Sequence, residues 1–492
     1  MRSGFRVDAG PEVGYGHFFR CLALANAMKQ QGHDPLLIVK HFSAWAQRVS
    51  RIYEIPVLRL EDQGSTNTQE TLRLSRGDAN ATLGVTESSL LESLFIDHYG
   101  IGQAWVDQVR TSGVQLIQIA DKKSLQGVDW ILDYGFDATL LKHDASQTGS
   151  RTLLGPSFFP FLERDISSEP EVGANSLPQK PVVLVALGSG LGLEIASQLL
   201  DEFKKEERGF SLEIAGNSIG PDAVNGLVGS LENTKKQITN RWPSASFGIT
   251  AGGVSMYERI ASGVPGVVVQ TADNQQPSLG ALKSAGLGTD TVIDAKNFVP
   301  AEMIELAEMA TRETIDQPQS CLLKSKVDHL GAHRVIFSID SDPWSLSLSS
   351  REFSVDDAPL LLRWANDSHA RNNSSNTNKV KPAEHLAWID QAKKRGASIT
   401  IYSHLALPCG QVRLEPTPAG TVLSYSVDPI FRRRGIAGKM LEESLARTKL
   451  PSPFLARVHK DNAPSAKVLL RLGFIVTGYE GNFLNLVLTD PS

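Results

Sequence analysis

Short apolar blocks alternate with longer amphipathic stretches over the first two-thirds of this 492-residue chain. Phe5-Arg6-Val7 predicts a strand that ends in a glycine-rich turn. From Phe18 to Gln31, Leu22, Leu24, Ala25 and Met28 recur at helical spacing, and Gly32 stops the helix. Leu36–Val39, Leu94–Ile96, Val114–Ile119 and Trp130–Leu132 follow as buried-type strands at α/β intervals. That pattern predicts a parallel sheet covered on both faces. Near residue 155 the alternation pauses at Leu153-Leu154-Gly155-Pro156 and a Ser-, Pro- and Glu-rich stretch over 166–180. It restarts with Val182–Leu187, Ser211–Ala215, Phe247–Thr250 and Gly266–Gln270. Residues 1–155 and 156–338 therefore predict two α/β lobes in tandem. Ligands of such sheets bind beyond the carboxyl ends of the strands, so the cleft between the lobes is the natural site.

The pattern changes after a polar linker over 339–350, which contains Asp340-Ser341-Asp342-Pro343. Residues 351–492 predict a separate unit: a strand, a helix over Pro359–Asn366, a polar loop over Asn372–Asn378 and a helix from Pro382. Strands follow at Ser398–Tyr402, Gln411–Leu414 and Thr421–Val427.

Composition narrows the class. With 41% hydrophobic and 21% charged residues the chain reads as a soluble globular protein. No apolar run approaches membrane-spanning length. The N-terminus enters a strand at once, so no signal peptide is expected. Cys21, Cys321 and Cys409 form neither a metal-type spacing nor a disulfide framework, which points to a reducing cytoplasm. The net charge of −5 does not suggest nucleic acid. Residues 345–492 carry 19 Lys and Arg against 13 Asp and Glu, a net of +6; this leaves 30 against 41, a net of −11, for residues 1–344. A basic C-terminal domain suits a polyanionic ligand, although two unrelated surfaces would give the same split.

Candidate chemistry begins between the first strand and first helix, in Asp8-Ala9-Gly10-Pro11-Glu12-Val13-Gly14-Tyr15-Gly16-His17. Gly14 and Gly16 let a ligand approach the backbone, and the helix start favours an anion. Histidine suits proton transfer near neutral pH, so His17 is a candidate base; a histidine that only packs at a turn would read the same. Arg6-Val7-Asp8-Ala9, Gly14-Tyr15-Gly16-His17 and Arg20-Cys21-Leu22-Ala23-Leu24-Ala25 resemble the start of the UDP-sugar hydrolases of the pseudaminic acid pathway. Those enzymes remove UDP from UDP-2,4-diacetamido-2,4,6-trideoxy-β-L-altropyranose. Asp97-His98-Tyr99, Leu154-Gly155-Pro156, Ala251-Gly252-Gly253-Val254-Ser255-Met256-Tyr257-Glu258, Ala272-Asp273-Asn274-Gln275 and Gly331-Ala332-His333-Arg334-Val335 continue the resemblance in order, to about residue 338.

The resemblance implies a glycosyltransferase-B-like fold of two Rossmann-like lobes, with water as acceptor and metal-independent cleavage at the anomeric carbon. It implies His17 as the catalytic base. The protein then has to position and deprotonate water and stabilise the departing pyrophosphate. Backbone N–H groups of Gly252, Gly253, Val254 and Ser255 at a helix start suit that pyrophosphate. The resemblance gives Glu258 the ribose hydroxyls. Asn274 and Gln275 would face the sugar or phosphates, or serve as a helix cap and its neighbour. Asp97, His98 and Tyr99 are read as sugar-facing groups at a strand end, not as metal ligands. Two segments depart from the family pattern: Ile119-Ala120-Asp121-Lys122-Lys123, and Leu187-Gly188-Ser189-Gly190-Leu191-Gly192 with no following aspartate. Both bear on the identity of the sugar.

A second constellation, Val427-Asp428-Pro429-Ile430-Phe431-Arg432-Arg433-Arg434-Gly435-Ile436-Ala437-Gly438-Lys439, follows a strand and opens a helix. Small residues there let N–H groups reach phosphates and arginines add charge, as a basic surface turn also would. Arg432-x-x-Gly435-x-Ala437 resembles the acetyl-CoA pyrophosphate loop of the GNAT superfamily of N-acetyltransferases. Val458-His459-Lys460-Asp461-Asn462-Ala463-Pro464-Ser465-Ala466-Lys467, then Leu472-Gly473-Phe474, resembles the second CoA motif. The resemblance implies an α+β fold and acetyl-CoA as cosubstrate. It would be held by Val427, Arg432, Arg433, Arg434, Gly435, Ile436, Ala437, Gly438 and Lys439, with Asn462 and Ser465 on the CoA arm.

Trp364-Ala365-Asn366-Asp367, Arg371, Ser374, His385 and Trp388 resemble the acetyltransferases that modify the 4-amino group of UDP-4-amino-sugars. That puts Trp364, Asn366, Arg371, His385 and Trp388 on the acceptor side, although tryptophans at helical spacing also suit a core. Leu469 stands where many acetyltransferases carry their tyrosine acid. Tyr425 and Tyr479 are then the candidate acids, and Glu415 and His385 the candidate bases.

In the implied pathway, acetylation of the 4-amino group precedes UDP removal. The expectation is a cytoplasmic bifunctional enzyme of pseudaminic acid-type nonulosonate synthesis, acting on a UDP-sugar with acetyl-CoA and no metal, nucleic acid or membrane partner. Sugar stereochemistry and oligomeric state stay open. The alternative is a glycosyltransferase with a sugar acceptor, fused to a module that binds acetyl-CoA without catalysis.

Overall fold

The structure is a computed structural model describing residues 1–10, 13, 15–61, 76–120, 124–138, 149–162, 180–188, 191–214, 242–271, 275, 279–282, 287, 292–312, 316–340, 347–405 and 407–489. Gly14 and Asn274 lie outside the described residues, as do 121–123, 189–190, 272–273 and 341–343. The chain divides into two units, Met1–Ile339 and Asp340–Ser492.

The first sheet contains β1 (Arg2–Arg6), β2 (Asp34–Val39), β3 (Val57–Arg59), β4 (Ser93–Ile96), β5 (Gln115–Ile119), β6 (Trp130–Asp133) and β7 (Arg151–Leu154). Their order is β3-β2-β1-β4-β5-β6-β7, and every pair is parallel. Both faces are covered, as the continuous apolar runs require. Helices Gly16–Gln30 and Ala44–Ile52 share one core with Phe5, Leu37 and Phe95. Helices Arg76–Ser88 and Gln103–Val109 share the other with Ile38, Leu94 and Leu116. Each such buried side chain contributes about 1.5–3 kcal/mol. The sequence pattern missed β3 and β7, because a short edge strand needs little apolar content to pair on one side.

The second sheet contains β8 (Val182–Ala186), β9 (Ser211–Ile214), β10 (Phe247–Ala251), β11 (Gly266–Gln270) and β12 (Val292–Asp294), ordered β12-β11-β10-β8-β9 and parallel throughout. Helices Leu191–Phe203 and Pro300–Arg312 cover one face. Helices Val254–Ala261 and Gln317–Lys326 pack on the other with Phe159 and Phe161. Helix Gly331–Ile339 then returns to the first lobe, where Val335 and Ile336 join its core. Gly331 is small for a reason: a Cβ there would stand 2.1 Å from the Phe159 carbonyl oxygen.

The unit Asp340–Ser492 has one mixed sheet of β13 (Leu348–Glu352), β14 (Ser398–His404), β15 (Leu407–Thr417), β16 (Gly420–Val427), β17 (Phe454–His459), β18 (Ile475–Glu480) and β19 (Phe483–Leu488). The order is β13-β14-β15-β16-β17-β19-β18. Neighbours are antiparallel except β16 and β17. That parallel pair lasts only from Thr421↔Phe454 to Val422↔Leu455. Beyond it β16 runs on to Val427 and β17 to His459 without pairing each other, so a wedge opens between them. Helices Ile436–Arg447 and Ala463–Arg471 follow these two strands. The expected architecture, two parallel α/β lobes and an α+β unit, is the one adopted.

Among the described residues no helix is long and apolar enough to cross a membrane, and no group of three or more His, Cys, Asp or Glu side chains gathers as a metal site. The cysteines are buried; burial pushes Cys321 up to about 11 and Cys409 up to about 12, so neither is a thiolate nucleophile at neutral pH.

Candidate functional site

In the first sheet the strand order reverses between β1 and β4, and the crevice beyond their carboxyl ends is where ligands of such sheets bind. Helix Gly16–Gln30 starts there, behind Tyr15, with no side-chain cap. His17 Nδ1 lies 2.6 Å from Oδ1 of Asp97, the residue after β4, whose side chain is 1% exposed. Nδ1 lies between two partners, the Asp97 carboxylate, which only accepts, and Arg20 Nη2 at 2.7 Å, which only donates. A hydrogen assigned to Nδ1 serves the shorter Asp97 contact and makes Nε2 the proton acceptor; a bare Nδ1 would instead accept from Arg20. Arg20, one turn along the same helix, donates Nε to Asp97 Oδ2 at 2.6 Å and Nη2 to Oδ1 at 2.7 Å. Burial alone pushes the Asp97 carboxyl up, but Arg20 and His17 outweigh it and hold it down to about 2. A histidine oriented by a buried carboxylate that is ionised at neutral pH is the arrangement of a general base.

His98 contrasts with His17. Its Nδ1 accepts the Gly100 N–H at 2.9 Å, so Nε2 carries the hydrogen and faces Asp8 Oδ2 at 3.4 Å. Asp8 is also held by Arg6 at 2.6 Å and by the Lys40 N–H at 2.8 Å, and Arg6 by Asp78 at 2.7 Å. Burial drives the Asp8 carboxyl up, yet His98 and Arg6 bring it well below the usual carboxylate range. Both nitrogens of His98 are thus engaged within the fold. This corrects its reading as a sugar-facing group. Tyr99 is 62% exposed, with its ring edge-on to His17 at 4.4 Å.

In the second lobe, β10 ends at Ala251, and Gly252 and Gly253 turn into helix Val254–Ala261. No side chain caps this helix, so the first N–H groups, those of Val254 and Ser255 included, have no side-chain cap acceptor. Glu258 is buried in the second turn, so it is not the surface glutamate that the helix dipole alone would favour. Gln275 is committed locally: its Oε1 accepts the Thr271 N–H at 3.0 Å, and its side chain fills the space that the missing Cβ of Gly252 leaves. That use differs from the sugar or phosphate contact expected of it.

In the unit Asp340–Ser492 the loop after β16 carries Arg433 at φ +64° and Gly435 at φ +74°. A Cβ on Gly435 would meet nothing within 4 Å, so the glycine serves the left-handed backbone turn, not space. Ile436, Ala437, Gly438 and Lys439 form the first turn of the next helix, again with no side-chain cap. Arg432 is turned to Asp367, with Nη2 at 2.5 Å from Oδ1 and Nε on the Val427 carbonyl at 3.3 Å. Asn462 caps helix Ala463–Arg471 by accepting the Ser465 N–H at 3.3 Å. Tyr425, on β16 beyond the point where β17 parts from it, reaches across the wedge and donates its hydroxyl to Ser465 Oγ at 2.8 Å. Burial pushes this phenol up, so it stays protonated.

The acceptor-side residues fare differently. Trp364 is 2% exposed and donates its indole N–H to Asp428 at 2.7 Å. His385 is buried, with Nε2 on the Ala358 carbonyl at 3.0 Å, and burial lowers its proton affinity. Asn366 clasps both backbone groups of Val380, and Arg371 donates to the Asn376 carbonyl and Ser374 Oγ. These four hold the loop and core, which corrects their reading as acceptor contacts. Trp388 is half-buried between His385 and the Arg413 guanidinium, 4.9 Å above its ring. Glu415 is paired with Arg395 at 2.5 Å and Arg413 at 3.5 Å, so neither candidate base is unengaged. Leu469 is core, and Tyr479 is 74% exposed on edge strand β18. The sequence reading missed the roles of Arg20 and Asp367. For Arg20 a signal existed, since i+3 spacing puts it on the helix face of His17.

Residues 348–475 match the family model described as Acetyltransferase (GNAT) domain. Among solved structures the chain is similar to MurG from Acinetobacter baumannii, at 12% identity over 68% of this chain and 98% of that chain, with a TM-score of 0.48. It is also similar to spermidine N-acetyltransferase from Vibrio cholerae in complex with CoA and spermine, at 12% identity over 29% and 95% with a TM-score of 0.26. Ribosomal-protein-alanine N-acetyltransferase from Brucella melitensis gives 20% identity over 29% and 99%, with a TM-score of 0.26. No curated protein matches the chain.

Proposed function

We propose that this chain is a bifunctional enzyme of pseudaminic acid-type nonulosonate synthesis: it acetylates the 4-amino group of a UDP-4-amino-4,6-dideoxy-N-acetyl-sugar, then removes UDP with water. The observation that carries the hydrolase half is the His17–Asp97 pair at 2.6 Å; with the hydrogen assigned to Nδ1, Nε2 is the proton acceptor. On this reading Nε2 takes a proton from water as its oxygen bonds to the anomeric carbon. The bond from that carbon to the diphosphate oxygen breaks, and UDP departs toward the N–H groups at Gly252–Ser255.

The acetyltransferase half is supported by the family match over 348–475 and by the glycine turn at Gly435 in front of an uncapped helix. Acetyl-CoA would enter the wedge between β16 and β17, its pyrophosphate on the N–H groups of Ile436–Lys439. The substrate amine attacks the thioester carbon, the carbon–sulfur bond breaks, and the thiolate takes the proton of Tyr425; the proton the nitrogen sheds on becoming an amide passes through water and restores the Tyr425 phenol. Tyr425 thus replaces the tyrosine absent at Leu469.

Hydrolysis in ¹⁸O-labelled water tests the reading. The label is expected on the anomeric oxygen of the released sugar. Label in UDP would move the cleavage to phosphorus. No release without an added sugar acceptor would favour the glycosyltransferase reading.

A further inference from the structure

Asp97 holds His17, but something must hold Asp97. Its Oδ2 accepts Arg20 Nε at 2.6 Å and lies 3.8 Å from Cys21 Sγ; its Oδ1 takes both His17 Nδ1 and Arg20 Nη2. The planar guanidinium therefore fixes the plane of the carboxylate as well as its charge. The other arm of Arg20 does not end at the site. Its Nη1 donates to the hydroxyl of Tyr134, the residue after β6. Tyr134 in turn offers its carbonyl to the Tyr257 hydroxyl at 3.2 Å. Tyr257 sits on the second-lobe helix Val254–Ala261, in the first turn after the Gly252–Gly253 bend. Its ring stacks on Phe159 at 4.0 Å and meets Tyr134 edge-on at 5.7 Å. A continuous path runs from imidazole to carboxylate, guanidinium, phenol and the helix of the other lobe, all within one unit.

We infer that Arg20 and Tyr134 are positioning residues: Arg20 keeps Asp97 ionised and aligned on His17, and Tyr134 ties that alignment to the second-lobe helix expected to receive the nucleotide's diphosphate. The inference rests on the reading of His17 as the base. Among the described residues, the groups facing Asp97 are few. His17, Arg20 and Cys21 come from the first helix, His98 and Tyr99 from its own segment, and Tyr134 acts through Arg20. His98 is engaged by Asp8. Arg20 is the one arginine or lysine among these, and burial is opposed first by Arg20 and then by His17. Without it the acid side of the activity profile rises toward neutrality, because burial favours the protonated Asp97 carboxyl, which no longer holds His17 as a carboxylate does.

The test uses the full chain and the pH dependence of kcat for UDP release. Arg20→Gln is expected to lose at least about 100-fold in kcat and to move the acid limb up by a pH unit or more, by the general effect of removing a paired charge. Arg20→Lys keeps a cation without the fork. It should keep the wild-type acid limb while losing about tenfold in kcat, and it carries the test if Arg20→Gln does not fold. Tyr134→Phe keeps the aromatic packing and should lower kcat about three- to tenfold with KM unchanged. Carbethoxylation of His17, followed by peptide mass analysis, reads the same ionisation without catalysis; its pH midpoint should rise in Arg20→Gln. An unmoved acid limb and midpoint in Arg20→Gln, or full activity in Arg20→Lys, overturns the inference. Wild-type UDP release by His17→Ala would instead overturn the base reading and leave the carbethoxylation result to decide the role of Arg20.

Discussion

The chain builds two sites by opposite means. The first-lobe site is assembled from distant residues: His17 and Arg20 on a helix, Asp97 after β4 and Tyr134 after β6. Asp97 is buried and His17, Arg20 and Tyr134 are mostly so, and they engage one another side chain to side chain around one carboxylate–guanidinium pair. The loop after β16 is nearly contiguous, from Val427 to Lys439, and works through backbone conformation: a left-handed Gly435 and an uncapped helix start. On the proposed function, the difference follows from the chemistry each would do. Moving a proton requires a base whose partner stays ionised, and burial must be offset by a fixed cation. Holding a diphosphate requires N–H groups in a row, which any helix start supplies once the turn before it is permitted. Both sites nevertheless stand at the same place in their folds, beyond the carboxyl ends of parallel strands.

The contrast can be broken from either side. His17→Ala should lower UDP release by about 10²- to 10⁴-fold, the usual worth of a general base, while acetyl transfer measured by CoA production stays at the wild-type rate. Equal loss of both would erase the separation. Gly435→Glu should do the reverse. It forces a side chain into the left-handed region and sets a negative charge before the phosphates, so acetyl-CoA affinity should fall at least about tenfold by calorimetry with UDP release unchanged. Tyr425→Phe sharpens the comparison within the second unit: kcat of acetyl transfer should fall about 10- to 100-fold, with little change in KM for acetyl-CoA. An unaffected kcat would return the proton to solvent.

The smallest effect concerns charge in the first site. The Asp97 carboxyl is held to about 2 in the folded chain, below its ordinary value of 3.8. A depressed carboxylate contributes stability that is present above the ordinary value and lost as pH falls toward the folded one. The protection of β1 and β4 amides against hydrogen exchange should therefore weaken by about 2 kcal/mol between about pH 4 and pH 2. Asp97→Asn should lack that part of the slope.

The two sites also differed in how much of them could be read from the chain. The turn and helix start from Arg432 to Lys439 were legible because neighbouring residues set them. His17 and Asp97 were legible as residues, but not the bond between them, which depends on β1 and β4 being adjacent in the sheet although 80 positions separate the pair. The fold was readable wherever strands are buried on both faces: β2, β4, β5, β8, β10 and β11 are near-continuous apolar runs. It was not readable at β3, whose residues are half-exposed at the edge. The acceptor-side residues failed for a different reason. Trp364, Asn366, Arg371 and His385 suit a nucleotide sugar by type, yet the fold's own polar groups also need partners: Asn366 and Arg371 bond loop backbone groups, His385 the Ala358 carbonyl, and Trp364 the Asp428 carboxylate.

The central claim is that one chain carries two successive reactions on one substrate. Mass spectrometry of the products from a UDP-4-amino-4,6-dideoxy-N-acetyl-altrosamine, with and without acetyl-CoA, tests it most directly. The account predicts free diacetamido sugar and UDP only when acetyl-CoA is present. An acetylated UDP-sugar that accumulates intact, or UDP released equally without acetyl-CoA, would contradict it.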